Sequence, residues 1–299
     1  MKRIFYAFAL AFLCLNAQAG PRTVTIGVVA DIQYDRDLPD SKGRHYTSGV
    51  GRVTEAVAEF KQVKGLEFVA NLGDMTNSNY PHYADISKAF GDMTVHSVFG
   101  NHDFRPARTA EEFREAAKIK GMEAPYYYAV VKGGVRFIFL NCSDVATHSA
   151  PADSPEGKAA KQWFDDLEEA GSPAAKEYNG GLGFAQLKWL DDQLSKADRC
   201  GQSAIVMCHM LLLPLVGRES LWNNMEVIHM LEAHPSAKAV FCGHRHPGSY
   251  VLRNGIHYVN FLGMVEGDQN RFAVVRITPG DKIEIDGFGD EPDRVLEMR

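Results

Sequence analysis

The chain is predicted to be an α/β (α+β) layered protein, and three observations predict it. Apolar, β-branched runs alternate with segments of helical periodicity through the first hundred residues. Successive runs end in short polar clusters, where open α/β sheets place their ligands. The last fifty residues read mostly as strands joined by turns such as Arg253-Asn254-Gly255.

Val24 to Val29 is the first strand, ending at Ala30-Asp31-Ile32-Gln33-Tyr34. Val50, Val53, Val57 and Phe60 share one face of a helix over 49–64. A strand over 66–72 runs into Gly73-Asp74, a helix covers 81–93, and a strand over 95–99 runs into Gly100-Asn101-His102-Asp103. A helix over 109–120 and a hairpin around Lys132-Gly133-Gly134 follow. The Pro-, Ser- and Ala-rich stretch from Asp144, with a helix near Trp163 and Leu167, reads as a cap-like insertion over 144–183 beside the site. Helices over 185–197 and 222–233 then bracket a strand ending at Cys208-His209, and a strand over 239–242 leads to Gly243-His244-Arg245-His246. The closing block of strands is expected to form a second sheet packed on the first. With no repeat or linker, 20–299 reads as a single domain.

The formal net charge of −6 gives no global pull toward nucleic acid or anionic membrane, so neither is an expected partner. Met1-Lys2-Arg3 followed by the apolar run to Leu15 and by Ala17-Gln18-Ala19 has the pattern of a cleaved signal peptide over 1–19. The apolar run is too short for a stable membrane span. An exported protein, periplasmic or secreted, with Gly20 as its new start, is the expectation. Cys142, Cys200, Cys208 and Cys242 could pair there, but the first and last end apolar runs as small buried hydrophobes do, and their pairing stays open.

Asp31, Gln33, Asp74, Asn101, His209, His244 and His246 offer carboxylate, amide and imidazole donors at successive strand ends, a set suited to divalent metals of intermediate hardness. Singly, each has a plainer reading: a helix cap, a turn residue or a satisfied core histidine. Two carboxylates against two divalent ions leave positive charge suited to a diphosphate or phosphodiester.

The series Asp31-x-Gln33, Gly73-Asp74-x-x-Asn77, Gly100-Asn101-His102-Asp103, Cys208-His209 and Gly243-His244-x-His246 resembles the calcineurin-like metallophosphoesterase superfamily. The resemblance implies a four-layer double-β-sandwich flanked by helices. Gln33 followed by Tyr34, where most members have His in place of the Gln, looks like the Mn²⁺-dependent ADP-ribose/CDP-alcohol diphosphatases, as do Asn179-Gly180-Gly181-Leu182-Gly183 and Gly255-Ile256-His257-Tyr258-Val259. Carried over by position, Asp31, Gln33, Asp74 and His246 would hold one ion, and Asp74, Asn101, His209 and His244 the other. Mn²⁺ is the favoured metal, with Fe, Zn or Mg as alternatives. His102 would act on the leaving oxygen as the catalytic imidazole, or merely fix Asn101.

The implied reaction is cleavage of the phosphoanhydride bond of nucleoside diphosphate conjugates. Its alternatives are phosphodiester or phosphomonoester hydrolysis and, in another class, an inactive metal- or nucleotide-binding protein. Candidate substrate contacts are Asn101, His102, Arg105, Tyr34 and Phe104, with Trp222 as a further stacking surface. Asn77 stands where many relatives have Asp, leaving Asp103 or nothing to orient His102. An amide oxygen at position 33 hardens the first ion site, disfavouring Zn²⁺ relative to Mn²⁺ or Mg²⁺. Gln33→His is accordingly expected to raise turnover with other divalent ions relative to Mn²⁺; an unchanged ratio of rates would refute this.

Overall fold

A computed structural model describes residues 20–77, 81–104, 109, 111, 112, 115, 118, 125–213 and 218–298. The leader over 1–19 and Arg105 lie outside the described residues. Of the helix expected over 109–120, Glu111, Glu112, Glu115 and Lys118 are described and helical.

Two six-stranded sheets form the centre. In chain order the strands are β1 (Val24–Val29), β2 (Leu66–Asn71), β3 (Val95–Ser97), β4 (Tyr128–Lys132), β5 (Val135–Phe139), β6 (Ser203–Met207), β7 (Ala237–Cys242), β8 (Ser249–Arg253), β9 (Ile256–Asn260), β10 (Phe272–Thr278), β11 (Lys282–Phe288) and β12 (Arg294–Glu297). The first sheet runs β12-β11-β10-β1-β2-β3 and the second β4-β5-β6-β7-β9-β8. β1, β2 and β3 are parallel, and so are β5, β6, β7 and β9.

Alternation along the strands builds the layers. Ile26 and Val28 of β1, with Phe68 of β2, face Phe137, Phe139, Met207 and Phe241 of the other sheet, forming the core between the sheets. The opposite faces carry helices. Val29 and Val69 meet Val53, Val57 and Phe60 of α1 (Gly49–Gln62) and Ile86 of α2 (Pro81–Ala89). Ile138, Val206 and Val240 meet Leu190 and Leu194 of α4 (Phe184–Arg199) and Val227 and Leu231 of α5 (Asn224–Glu232). The result is the expected helix–sheet–sheet–helix sandwich. In the 144–183 stretch, α3 (Pro155–Glu169) starts at a Ser154 side-chain cap and presents Phe164 to Trp222.

One expectation is corrected. The closing strands do not make a sheet of their own: β8 and β9 join β7, while β10, β11 and β12 return to the first sheet beside β1. Which sheet a strand joins is decided by long-range pairing, on which its local pattern is silent. β12 had no periodic signal in the sequence. The four described cysteines are free thiols, three of them buried, as small hydrophobes at strand ends should be.

Phe68 stands edge-on to Phe137 at 5.0 Å across the sheet interface. Phe68→Ala leaves a void between two sheets that cannot collapse, and should cost about 3–5 kcal/mol of unfolding free energy, read from the denaturant midpoint.

Candidate metal centre

The site forms because the loops leaving parallel strands stay paired beyond the strand ends. After β1 and β2 the ladder continues through Leu72 N–H to Val29 O, Asp31 N–H to Gly73 O (3.1 Å), Gln33 N–H to Asp74 O (2.8 Å) and Tyr34 N–H to Met75 O (3.1 Å). After β6 and β7 it continues through Gly243 N–H to His209 O (3.1 Å). Met264 and Val265, beyond β9, donate to Ala30 O and Asp31 O and close the ring of loops. Asp31, Gln33, Asp74 and His244 all have left-handed backbones, with φ of 50°, 43°, 55° and 71°. Non-glycine residues rarely adopt that conformation, and clusters of them mark functional sites, where surrounding structure holds the strain. Gly73, at φ 98°, makes the turn that delivers Asp74, and a methyl group there would strike the His209 ring.

The side chains converge. Asp31, Gln33, Asp74, Asn101, His209 and His246 are buried, and each histidine gives away its far nitrogen. His209 Nδ1–H donates to Leu72 O (2.8 Å), His246 Nδ1–H to a Glu266 carboxylate oxygen (2.7 Å), and His244 Nε2–H to Asn179 Oδ1 (3.0 Å). The near nitrogens point at the rest of the cluster, where the Gln33 amide nitrogen also donates to Asp74 Oδ2 (3.1 Å) and lies 3.3 Å from His246 Nε2. His246 Nε2 is 3.4 Å from Asp31 Oδ1, His209 Nε2 is 3.4 Å from Asp74 Oδ2, and His244 Nδ1 is 3.0 Å from His209 Nε2. Two ligand bonds of about 2.1 Å meeting near the tetrahedral angle span about 3.4 Å. Asp31 Oδ1 and Gln33 Oε1 are buried with no hydrogen-bond partner. Buried acceptors without donors are costly unless a cation completes them. Asp74, His209 and His244 can each bring a ligand atom within 4.8 Å of the others. The donor set therefore fits divalent metal, with Asp74 between its two halves.

Electrostatics agree. Burial disfavours charge on His209, yet Asp74 beside it pulls its pKa up to about 10. Burial likewise opposes charge on His246, but bonds to Asp31 and Glu266 raise it to about 9. Burial and the His209 charge hold His244 well below the usual imidazole range. Asp74 stays ionised despite burial, because His209 and His102 lower its pKa. A cluster that draws protons this strongly binds metal by releasing them.

His102 lies at the same centre, its N–H donating to Asp74 Oδ1 (2.9 Å) and its Nε2 3.9 Å from Asp74 Oδ2. Its Nδ1 is 2.6 Å from the Asn77 main-chain carbonyl, so the backbone of Asn77, and not a carboxylate, orients the ring. Asp103 instead accepts from Gly100 N–H and Asp74 N–H and fastens the two loops together.

The cavity, about 220 Å³, is lined by Gln33, Asp74, Asn101, His102, His244 and His246, joined by Arg44, Tyr178 and Glu219. The aromatic candidates face elsewhere. Tyr34 packs on His82 at 5.6 Å among the residues beneath α1, Phe104 packs on Phe99 at 4.6 Å, and Trp222 sits edge-on to Trp163 at 5.4 Å. Each fills an apolar gap that its neighbours leave. Sequence reasoning missed Arg44, Glu219, Glu266, Tyr178 and the role of Asn179 at His244. Asn179 opens a Gly-rich run, which was the one available signal.

The comparisons with known proteins agree with this geometry. Residues 24–248 match the model of the calcineurin-like phosphoesterase family. The chain belongs to that family. Its members are metal-dependent phosphohydrolases, and the chain is one of them. A protein from Arabidopsis thaliana is 30% identical over 272 aligned residues, covering 81% of this chain and 86% of the relative. One from Bos taurus is 25% identical over 329 aligned positions, covering 95% and 97%. Both relatives are named manganese-dependent ADP-ribose/CDP-alcohol diphosphatase. The crystal structure of a dimetal phosphatase from Danio rerio superposes with a TM-score of 0.78 at 20% identity, covering 92% of this chain and 99% of that one.

Gly100 is where the family site has least room: a methyl group on it would run into the Asp74 carboxylate and its backbone nitrogen. Gly100→Ala is expected to cut bound metal by at least one equivalent per chain in elemental analysis, while far-ultraviolet circular dichroism stays unchanged.

Proposed function

We propose that the protein is a manganese-dependent diphosphatase that hydrolyses nucleoside diphosphate conjugates such as ADP-ribose and CDP-alcohols to a nucleoside monophosphate and a phosphorylated partner. The observation that carries the reading is the donor set around Asp74, with the unpartnered amide oxygen of Gln33 in one half of it. The names of the relatives support the same substrate class.

In this reading Asp31, Gln33, Asp74 and His246 hold one ion, and Asp74, Asn101, His209 and His244 the other. Ions held there neutralise phosphoryl charge and make water nucleophilic near neutral pH. The protein does the rest. The Asn77 carbonyl fixes the His102 ring with Nδ1 engaged, leaving Nε2 to pass a proton to the leaving oxygen. Arg44, pinned through Nε by Glu266 at 3.2 Å, puts a permanent positive charge on the cavity wall, suited to the second phosphate of a diphosphate. Tyr178, whose ring lies 5.7 Å from that of His244, offers the aromatic face that Tyr34 and Phe104 do not.

We further propose that the protein acts outside the cytoplasm after cleavage before Gly20, a reading supported by the pattern of residues 1–19. Among the described residues no helix is long and apolar enough to cross a membrane. The 20–299 chain is proposed to work as one domain.

With Mn²⁺, the mature protein is expected to cleave ADP-ribose or CDP-choline faster than cyclic nucleotides and p-nitrophenyl phosphate. Asn101→Ala should lower kcat at least 100-fold, since it removes a ligand. Preference for p-nitrophenyl phosphate over both diphosphates would overturn the assignment.

A further inference from the structure

The signature that marks the metal centre recurs a short way along the loop after β1. Residues 31, 33, 35 and 37 are Asp, Gln, Asp and Asp. The first two face the cavity, and the second two meet His82 of α2. The His82 side chain is fully buried, and its Nε2–H donates to Asp37 Oδ2 at 3.1 Å. Its Nδ1 is buried without a hydrogen-bond partner and aimed at Asp35 Oδ1 at 3.3 Å. Either a second ring proton or a metal cation must complete that pair. A proton shared by an imidazolium and a carboxylate draws its partners to about 2.7–2.9 Å. Two metal bonds of about 2.1 Å instead span 3.3 Å at an angle of about 104°, close to tetrahedral. The same spacing separates His246 from Asp31 and His209 from Asp74.

We propose that His82 Nδ1 and Asp35 hold a third divalent cation, apart from the pair at Asp74, with Asp37 fixing the imidazole from its Nε2–H. One ligand atom from each can lie within 4.8 Å of the other two. An imidazole nitrogen with a carboxylate oxygen suits Zn²⁺ or Mn²⁺ over Mg²⁺ or Ca²⁺. The charge around the cluster fits as well. Asp37 and Asp85 share the guanidinium of Arg36, which lies 3.8 Å from the first and 3.3 Å from the second. The Asp35 side chain is 10% exposed and that of Asp37 68%, so the site is anchored inside and open outside. The cation braces the strip next to the catalytic imidazole: Tyr34 O accepts from Asn77 N–H at 3.1 Å, and Asn77 O holds His102 Nδ1.

The test is a metal count on the full mature chain, dialysed to equilibrium against buffered free Zn²⁺ and, separately, Mn²⁺. Three equivalents per chain are expected for the wild type, and two for Asp37→Ala and for His82→Gln. Asp37 is exposed, so its variant folds even if the buried His82 change does not. Two or fewer equivalents in the wild type would overturn the proposal, as would an equal count in the wild type and Asp37→Ala. Nitrogen-15 spectra with the metal present give a second reading: a proton on Nε2 alone supports the third site, and protons on both ring nitrogens of His82 refute it. The count at Asp35 and His82 is independent of which substrate the Asp74 centre cleaves.

Discussion

Two carboxyl groups, those of Asp31 and Asp74, are buried within reach of imidazole nitrogens, and this constraint governs the molecule. Each histidine has committed its other nitrogen to Leu72, Glu266 or Asn179, so a proton or a metal ion at the near nitrogen is what relieves it. The backbone pays a further cost in left-handed conformations at four of the converging residues. Such a cluster persists only on a rigid frame, and two sheets packed through Phe68, Phe137 and Phe139 provide one. The strain, the buried charge and the close-packed core are parts of one arrangement, in which the sandwich holds donors in place for a cation.

Much of this was legible in the sequence because the signals are local. A glycine before Asp74, Asn101 or His244 marks a turn at a strand end, and the residue beside it reports the chemistry. The strand–helix rhythm gave the first sheet's parallel part and both helical layers. What stayed hidden depends on contacts distant in sequence. Asn179 meets His244 across 65 positions, and Arg44 meets Glu266 across 222. Arg44 has no motif to announce it, and the Gly-rich run at Asn179 does not say what that side chain touches. The aromatic misreadings have a related cause: a tyrosine or phenylalanine near a motif is equally able to face the cavity or the core, and residue type does not say which. Tyr34 fills the space under α1, while Tyr178 lines the site.

His102 shows how a family position can change its support without changing its place. A main-chain carbonyl at Asn77 does what a carboxylate side chain could do, fixing which ring nitrogen points inward. Asp103, freed from that task, locks the Asp74 and Gly100 loops instead.

The return of β10 to the side of β1 has a bearing on how the chain comes to be folded. Val24 to Val28 find their antiparallel partners at Ile277 to Ala273, some of the most distant pairings in the molecule. Until that strand has been made, β1 is an exposed apolar edge, and the loop carrying Asp31 and Gln33 has nothing on one side of it. Local helices can form early, but the sheet that bears the first half of the site closes last, as expected for a fold of high contact order. Completion of the first sheet, and with it of the first half of the site, therefore waits on residues 272–278.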